Sequence, residues 1–144
     1  MNIKKALKMK NKLVKTANEY FQKLQQYNTV EEGSVRPYSA KEMRDKWIET
    51  TNELVELKAK IHLANSPVYD KIFRLAELKS MISRLNSLSC VEGKSSGRRW
   101  NGDENSVMTS EISILERDST IKLYEAKIEQ LQDELDAHNA TTEI

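Results

Sequence analysis

Residues 39–88 read SAKEMRDKWIETTNELVELKAKIHLANSPVYDKIFRLAELKSMISRLNSL, and this stretch decides the fold. It opens with a capping-box pattern, because the Ser39 hydroxyl can accept from the Glu42 amide while the Glu42 carboxylate reaches back. A stripe then recurs at alternating steps of four and three, which is typical of one side of a long helix. The stripe consists of Met43, Trp47, Thr50, Leu54, Leu57, Ile61 and Ala64. We therefore predict a helix of about 40 Å over 39–65.

A second helix is predicted directly after the first. Ser66 and Pro67 offer an N-cap and a first-turn proline, so the chain is expected to break there and restart as a helix over 67–89. Its stripe has the same spacing: Val68, Ile72, Leu75, Leu78, Ile82, Leu85 and Leu88. Two helices joined this closely either continue as a kinked rod or fold back, and short connections favour antiparallel neighbours.

Two further helices flank this pair, over about 2–29 and 119–139. The first has a seam formed by Ile3, Leu7, Val14, Ala17, Phe21 and Leu24, with Ala6, Leu13, Tyr20 and Tyr27 beside it. We expect it to end at residues 31–33, with Gly33 as a left-handed cap. The last helix is expected to begin near Ser119 and carries Ile121, Tyr124, Ile128, Leu131, Leu135 and His138 at three-and-four spacing.

The segment 91–115 has loop and strand character. Three of the four glycines lie between Val91 and Ser106, and β-branched residues then alternate up to Leu115, so a short β hairpin is predicted within 96–115. The predicted fold class is mainly α. Long antiparallel helical hairpins or a bundle form a single domain over 1–144, with a small β hairpin inserted before the C-terminal helix.

Composition and charge argue against several classes of protein. Charged residues make up 31% and aromatic residues 6% of the chain, which favours an extended helical protein over a β sandwich. The net charge of +1 gives no global field that would select nucleic acid or membrane. The one cysteine, Cys90, excludes an internal disulfide and suits a reducing compartment. No run of 18 apolar residues is present, and lysines interrupt any secretory signal, so we expect a cytoplasmic protein.

Charge is nevertheless unevenly placed. The first half of the N-terminal helix carries Lys4, Lys5, Lys8, Lys10, Lys12 and Lys15 without an acid. Such a segment could bind phosphate or an anionic membrane, but we favour the interpretation that it is a solvated side opposite an acidic partner helix. The possible anion-binding residues are Lys4, Lys5, Lys8, Arg98 and Arg99.

Two groups of short, mostly apolar motifs resemble the septicolysin-like family of small bacterial proteins. They are Leu57, Ile61, Ala64-Asn65, Leu75-Ala76 and Leu78 in the central pair, and Leu131, Leu135, Asn139, Thr141-Thr142 and Ile144 at the end. The resemblance implies long helices, a small β hairpin before the final helix and self-association, and it brings no established active site. Members of that family usually carry an aromatic residue where this chain has Ala140.

The sequence matches known catalytic and ligand-binding motifs only in part. Gly93-Lys94-Ser95 resembles the end of a phosphate loop, but Leu88 stands where that loop needs a glycine. Glu134 and His138 are one helical turn apart and could share a metal, with Asp133 or a second chain supplying more ligands, although a tight site needs three or four. Because Cys90 has no histidine near it in sequence, no catalytic constellation is visible. We therefore predict that the protein is not an enzyme and that it binds no cofactor or small-molecule substrate.

The leading hypothesis is a non-enzymatic scaffold that self-associates through apolar seams. The residues expected to form the core or the oligomer interface are Trp47, Leu54, Leu57, Ile61, Ile72, Leu75, Leu78, Ile82, Leu131 and Leu135. The alternative is a nucleic-acid or anionic-membrane adaptor that uses the basic N-terminal helix with Arg98 and Arg99.

Overall fold

The computed structural model describes residues 1–94 and 106–144. In these ranges the chain forms α1 (Ile3–Tyr27), α2 (Ala40–Asn65), a 3-10 helix (Ser66–Val68), α3 (Tyr69–Asn86), β1 (Gly93–Lys94), β2 (Val107–Met108) and α4 (Ile114–Thr141). The strands pair antiparallel, with Gly93 opposite Met108 and Lys94 opposite Val107. The prediction of a mainly α fold with a small β hairpin before the C-terminal helix is therefore confirmed.

The chain divides into two compact units. Unit 1 contains Met1–Tyr69 and Asp136–Ile144, and unit 2 contains Asp70–Leu135. The last turns of α4 thus belong to the unit that α1 and α2 build. That 1–144 forms a single domain stays a prediction.

In unit 1, α1 and α2 pack as an antiparallel pair. Phe21 contacts Trp47 with ring centroids 5.0 Å apart, and Tyr27 contacts Tyr38, just before α2, at 5.6 Å. The start of α2 therefore lies beside the end of α1. The α2 stripe from Met43 to Ala64 is buried or half-buried throughout. Residues between its members are far more open, and Leu63 is 72% exposed. The burial therefore has the three-and-four spacing of a helix packed on one side.

The packed side of α1 differs from the predicted seam. Its members, all buried or half-buried, are Ile3, Ala6, Lys10, Leu13, Ala17, Tyr20, Leu24 and Tyr27. Leu7, Thr16 and Lys23, next to this set, are half-buried as well. Val14 and Phe21, which were expected on the seam, are 37% and 41% exposed. Starting at Ile3, alternating steps of three and four residues reach every member of the packed side. Val14 and Phe21 each lie one residue after a member of that side, Leu13 and Tyr20.

The ends of unit 1 are joined by backbone pairing. The Ile3 amide donates to the Thr142 carbonyl and the Ile144 amide donates to the Met1 carbonyl, both at 3.0 Å. Asn2 caps α1 by accepting from the Lys5 amide at 2.9 Å. Ile3 and Ala6 are fully buried beneath this junction.

The prediction that Gly33 ends the first helix is wrong. The helix α1 ends at Tyr27, and the Arg36 guanidinium donates to the carbonyl oxygens of Tyr27 and Asn28 at 2.9 and 3.1 Å. Because Arg36 satisfies these terminal carbonyls, no glycine cap is needed. Gly33 instead has a φ of 85° within a turn that Ser34 closes onto Glu31.

The α-helix is interrupted after Asn65 as predicted, but the prediction that Ser66 acts as an N-cap is wrong. Ser66 is helical, with φ −47° and ψ −43°, and its amide donates to the Leu63 carbonyl. Pro67 has no amide hydrogen and so interrupts the α-helical bonding pattern. The chain passes this point through a 3-10 turn and continues directly into α3.

In unit 2, α3 and α4 run antiparallel. The Lys71 ammonium lies 3.1 Å from the Glu134 carboxylate, while Arg117 donates to the Leu88 carbonyl at 3.2 Å near the other end of the pair. The buried side chains of this unit are Leu78, Ile121 and Leu135.

The boundaries around the β hairpin correct three predictions. Helix α4 begins at Ile114 instead of Ser119, because the Ser113 hydroxyl accepts from the Glu116 amide at 3.1 Å. Strand β2 covers only Val107–Met108, so the strand-like alternation up to Leu115 does not extend the hairpin. Strand β1 lies before residue 96, outside the range expected for the hairpin. Helix α3 ends at Asn86 instead of residue 89, because the amides after it bond three residues back, to the Arg84 and Leu85 carbonyls.

Candidate functional site

Both histidines take part in polar contacts near the C-terminal end of α2, His62 from α2 itself and His138 from α4. The Tyr69 hydroxyl donates to the His62 carbonyl at 2.9 Å and also contacts Nδ1 of the same histidine. His138 Nε2 lies 3.1 Å from the Ala64 carbonyl oxygen, which can only accept, so this nitrogen carries the proton. Its Nδ1 pairs with the Thr142 hydroxyl at 3.1 Å. Tyr69 and His138 thus bind the His62 and Ala64 carbonyls at a helix end where Pro67 supplies no amide.

This geometry bears on the hypothesis of a metal held by Glu134 and His138. Both ring nitrogens of His138 have partners within the chain. Glu134 is bound by Lys71 and by the Gln130 amide at 3.3 Å. The hydrogen bond from Lys71, followed by the one from Gln130, lowers the pKa of the Glu134 carboxyl. Among residues 1–94 and 106–144, no group of three or more His, Cys, Asp or Glu side chains could supply further ligands.

The other motifs of the hairpin region do not assemble a site. Gly93 and Lys94 form β1, whereas a phosphate loop would lead into a helix, and Ser95 lies outside the described residues. Cys90 is half-buried, with its Sγ 3.8 Å from the Leu88 carbonyl oxygen.

The proposed anion-binding lysines lie on α1. Lys4 and Lys8 line an open recess of about 360 Å³ together with Leu7, Asp136 and Asn139. In the part of the chain that the structure describes, the recorded salt bridges include none with Lys4, Lys5 or Lys8. Arg98 and Arg99 lie outside the described residues, as does Trp100.

The seam residues named from the sequence fall on the packed sides of their helices. Ile61, Leu78 and Leu135 are buried. The half-buried members are Trp47, Leu54, Leu57, Ile72, Leu75, Ile82 and Leu131.

Apolar surface outside these seams is extensive. Among the described residues, 19 large apolar side chains are exposed, whereas nine apolar side chains are buried. On α2 the exposed set includes Ile48, beside a small recess of about 100 Å³ that Trp47, Thr51 and Asn52 also line. In unit 2 it includes Leu115 and Leu123. Sequence reasoning missed this second apolar side, although the seven-residue spacing of Ile48 and Val55 is a signal for it.

Comparison of the chain with models of protein families, with curated proteins and with solved structures gives no match. The resemblance to the septicolysin-like family therefore stays a prediction. Over the described residues, no helix has the length and apolar character needed to cross a membrane. What this chain does has to be argued from its own surface.

Proposed function

We propose that the chain is a non-enzymatic helical scaffold that self-associates into a homo-oligomer. One observation carries the proposal: within the described residues, 19 large apolar side chains are exposed against nine apolar ones that are buried. Removing apolar surface from water stabilises a protein by about 25 cal/mol per Å². Exposed apolar surface of this extent is characteristic of proteins that bind other proteins.

Unit 2 supports the proposal most directly. Each helix of a two-helix hairpin packs one side on its neighbour and leaves the other sides open. Met81, Leu115 and Leu123 are 41%, 76% and 55% exposed. A second copy that covers such residues would bury apolar surface that a lone chain leaves in water. We further propose a cytoplasmic location, where the single Cys90 would stay reduced.

The test is the absolute molar mass in solution, by light scattering behind a sizing column, at two protein and two salt concentrations. We expect a stable multiple of 16.6 kDa. We also expect the mass to be insensitive to salt, because screening weakens charge pairs and leaves apolar contacts intact. A mass of one chain under all four conditions would overturn the proposal.

A second candidate is an adaptor for nucleic acid or anionic membranes. It rests on Lys4, Lys5 and Lys8, whose ammonium groups are in no recorded salt bridge of the described chain. Binding to duplex DNA, RNA or acidic vesicles should then fall steeply between about 50 and 200 mM salt. Replacing these three lysines by Gln should weaken binding. Gln at Lys58, Lys60 and Lys79 removes the same charge elsewhere and is the control. No binding at about 50 mM salt would exclude the adaptor.

A further inference from the structure

The side of α1 that faces away from α2 carries a line of cationic and amide side chains, which we term the outer stripe. Its members are all exposed and are spaced alternately by four and three residues: Lys4, Lys8, Asn11, Lys15, Asn18 and Gln22. Because an α-helix turns once in about 3.6 residues, this line lies nearly opposite the packed side of α1. Lys5 and Lys12, which are also exposed, lie directly beside it.

The positive charge of the outer stripe does not serve the stability of α1. The first acid in the chain is Glu19, and the first turn of α1 holds Lys4 and Lys5 without an acid. Cations at a helix N-terminus oppose the helix dipole. The four-residue spacing of Lys4, Lys8 and Lys12 also brings like charges together, which destabilises a helix. Residues that break such local rules are expected at functional sites.

Acids on neighbouring elements offset this charge only in part. Asp136 of α4 lies in the recess with Lys4 and Lys8. Glu53 and Glu56 are exposed on the half of α2 that runs beside the first half of α1. Over the described residues, the recorded salt bridges include none to a lysine of α1. Five exposed lysines between residues 4 and 15 outnumber these three acids, so this end of α1 keeps a net positive charge.

A membrane surface fits this arrangement poorly. An amphipathic helix that lies on a membrane buries its apolar side among the lipids and holds its lysines at the headgroups. In α1 the apolar residues Ile3, Ala6 and Ala17 are already buried within the protein. Phe21, on the flank of the helix, packs on Trp47 of α2. Because the outer stripe holds no apolar residue, it would be held at a membrane by charge attraction alone.

Duplex DNA fits the outer stripe better. An α-helix with its side chains is about 10 to 12 Å across, and the major groove of B-DNA is about 12 Å wide. Lysines neutralise phosphates, while asparagine and glutamine amides hydrogen bond to phosphates and base edges. Proteins that bind single strands stack bases on aromatic side chains, and the outer stripe has no aromatic residue.

We infer that the outer stripe binds duplex DNA along the major groove, through lysine contacts to the phosphate backbone. The inference rests on the second candidate function, the adaptor, and names its partner. Binding leaves the packing of α1 on α2 intact, because the two use opposite sides of the helix. With five lysines in contact, a plot of the logarithm of the binding constant against the logarithm of the salt concentration should have a slope of about −4.5.

The test is fluorescence anisotropy with a labelled mixed-sequence duplex of about 20 base pairs, titrated between about 50 and 200 mM salt. Replacing Lys8, Lys12 and Lys15 by Gln should weaken binding more than about tenfold at the lowest salt and reduce the slope to about −2. The Tm of this variant should not fall, because the substitutions remove like charges from α1. A structural role of the lysines would instead lower the Tm.

Two controls match these changes. Gln at Lys79, Lys122 and Lys127 removes the same charge from exposed positions of α3 and α4 and should leave both affinity and slope unchanged. Asn18→Asp adds one negative charge to the outer stripe with almost no change in side-chain size, and it should weaken binding. Asn52→Asp, at an exposed position of α2, should not.

The outcomes separate the inference from the adaptor proposal. A slope that the α1 lysine variant leaves unchanged would overturn the inference, as would tighter binding to single-stranded DNA or duplex RNA than to duplex DNA. Acidic vesicles that bind at about 50 mM salt when duplex DNA does not would overturn the inference and leave the adaptor standing. No binding to any of these probes would overturn both.

Discussion

His138 holds together three parts of unit 1. Its Nε2 donates to the Ala64 carbonyl at the end of α2, and its Nδ1 pairs with Thr142, whose carbonyl accepts from the Ile3 amide. A half-buried carbonyl that loses its donor carries a desolvation penalty of about 1 to 3 kcal/mol. The imidazole therefore acts as a structural cap that joins the end of α2 to the paired chain ends.

We predict that His138→Ala lowers the free energy of unfolding by about 1 to 3 kcal/mol, because the Ala64 carbonyl loses its donor. His138→Gln keeps an N–H near the position of Nε2 and should recover part of the loss. Urea unfolding followed by circular dichroism measures both. Equal losses for the two variants would show that the ring packs without capping.

At the scale of elements, the start of α4 decides how the hairpin region ends. The Ser113 hydroxyl accepts from the Glu116 amide, and the Arg117 amide donates to the Ser113 carbonyl at 3.0 Å. Ser119, where the sequence pattern indicated a start, lies inside the helix.

Ser113→Ala should therefore lower the free energy of unfolding by about 0.5 to 2 kcal/mol through loss of the N-cap. Ser119→Ala is the matched control and should be neutral or slightly stabilising, because alanine is the better residue inside a helix. Chemical denaturation compares the two. A larger loss for Ser119→Ala would place the helix start where the sequence pattern put it.

The Lys71–Glu134 pair links α3 to α4 in a pH-dependent way. Hydrogen bonding from Lys71 lowers the pKa of Glu134 below its ordinary value of 4.5 in the folded state. A group with a lowered folded-state pKa stabilises the fold above its unfolded-state pKa, and the stabilisation is lost as the pH falls through the folded-state pKa.

Glu134→Gln should accordingly lower the Tm at pH 7, and the difference from the wild type should shrink as the pH falls below 4.5. Glu129→Gln, also on the exposed surface of α4, serves as the control and should show no such trend. A Tm difference for Glu134→Gln that is constant across this range would contradict the role of the ion pair.

At the scale of the whole molecule, we predict the effect of a charge placed in the apolar seams. Leu54→Asp and Leu75→Asp each put a charge on the packed side of a helix, at half-buried positions. Loss of such a leucine costs roughly 2 to 5 kcal/mol even before charge is considered. We expect both variants to unfold or to dissociate, as measured by circular dichroism and light scattering.

Leu63→Asp puts the same charge on an exposed position of α2 and should stay folded. If Leu54→Asp and Leu75→Asp keep an unaltered, folded assembly, the seams do not hold the protein together.

The parts of the fold that could be predicted are those whose sequence signals lie within a single helix. Three-and-four spacing is a property of one helix, and α2 was predicted to within one residue at its start because Ser39 caps it within the same segment. The end of α1 depends on Arg36, which lies nine residues beyond the Tyr27 carbonyl it binds. Periodicity alone gives no sign of such a cap.

The exposed apolar surface was predictable only in part, for a related reason. Leu7, Val14 and Phe21 are visible as a stripe in the sequence, but α1 has two neighbouring apolar stripes. Which of them packs on α2 depends on the register of the pair, and the buried small residues Ala6 and Ala17 belong to the stripe that lets the helices approach closely. The stripe that remains carries the larger side chains, of which Val14 and Phe21 are exposed.

The pairing of the chain ends has a consequence during synthesis. The Asn2 side chain donates to the Ala140 carbonyl, 138 residues away along the chain. At about 5 to 20 residues per second, the ribosome needs roughly 7 to 28 s to make the intervening chain. Throughout that time Ile3 and Ala6 lack the cover that the last turns of α4 provide. The nascent polypeptide therefore presents a basic, amphipathic helix with an uncovered apolar side before unit 1 can close.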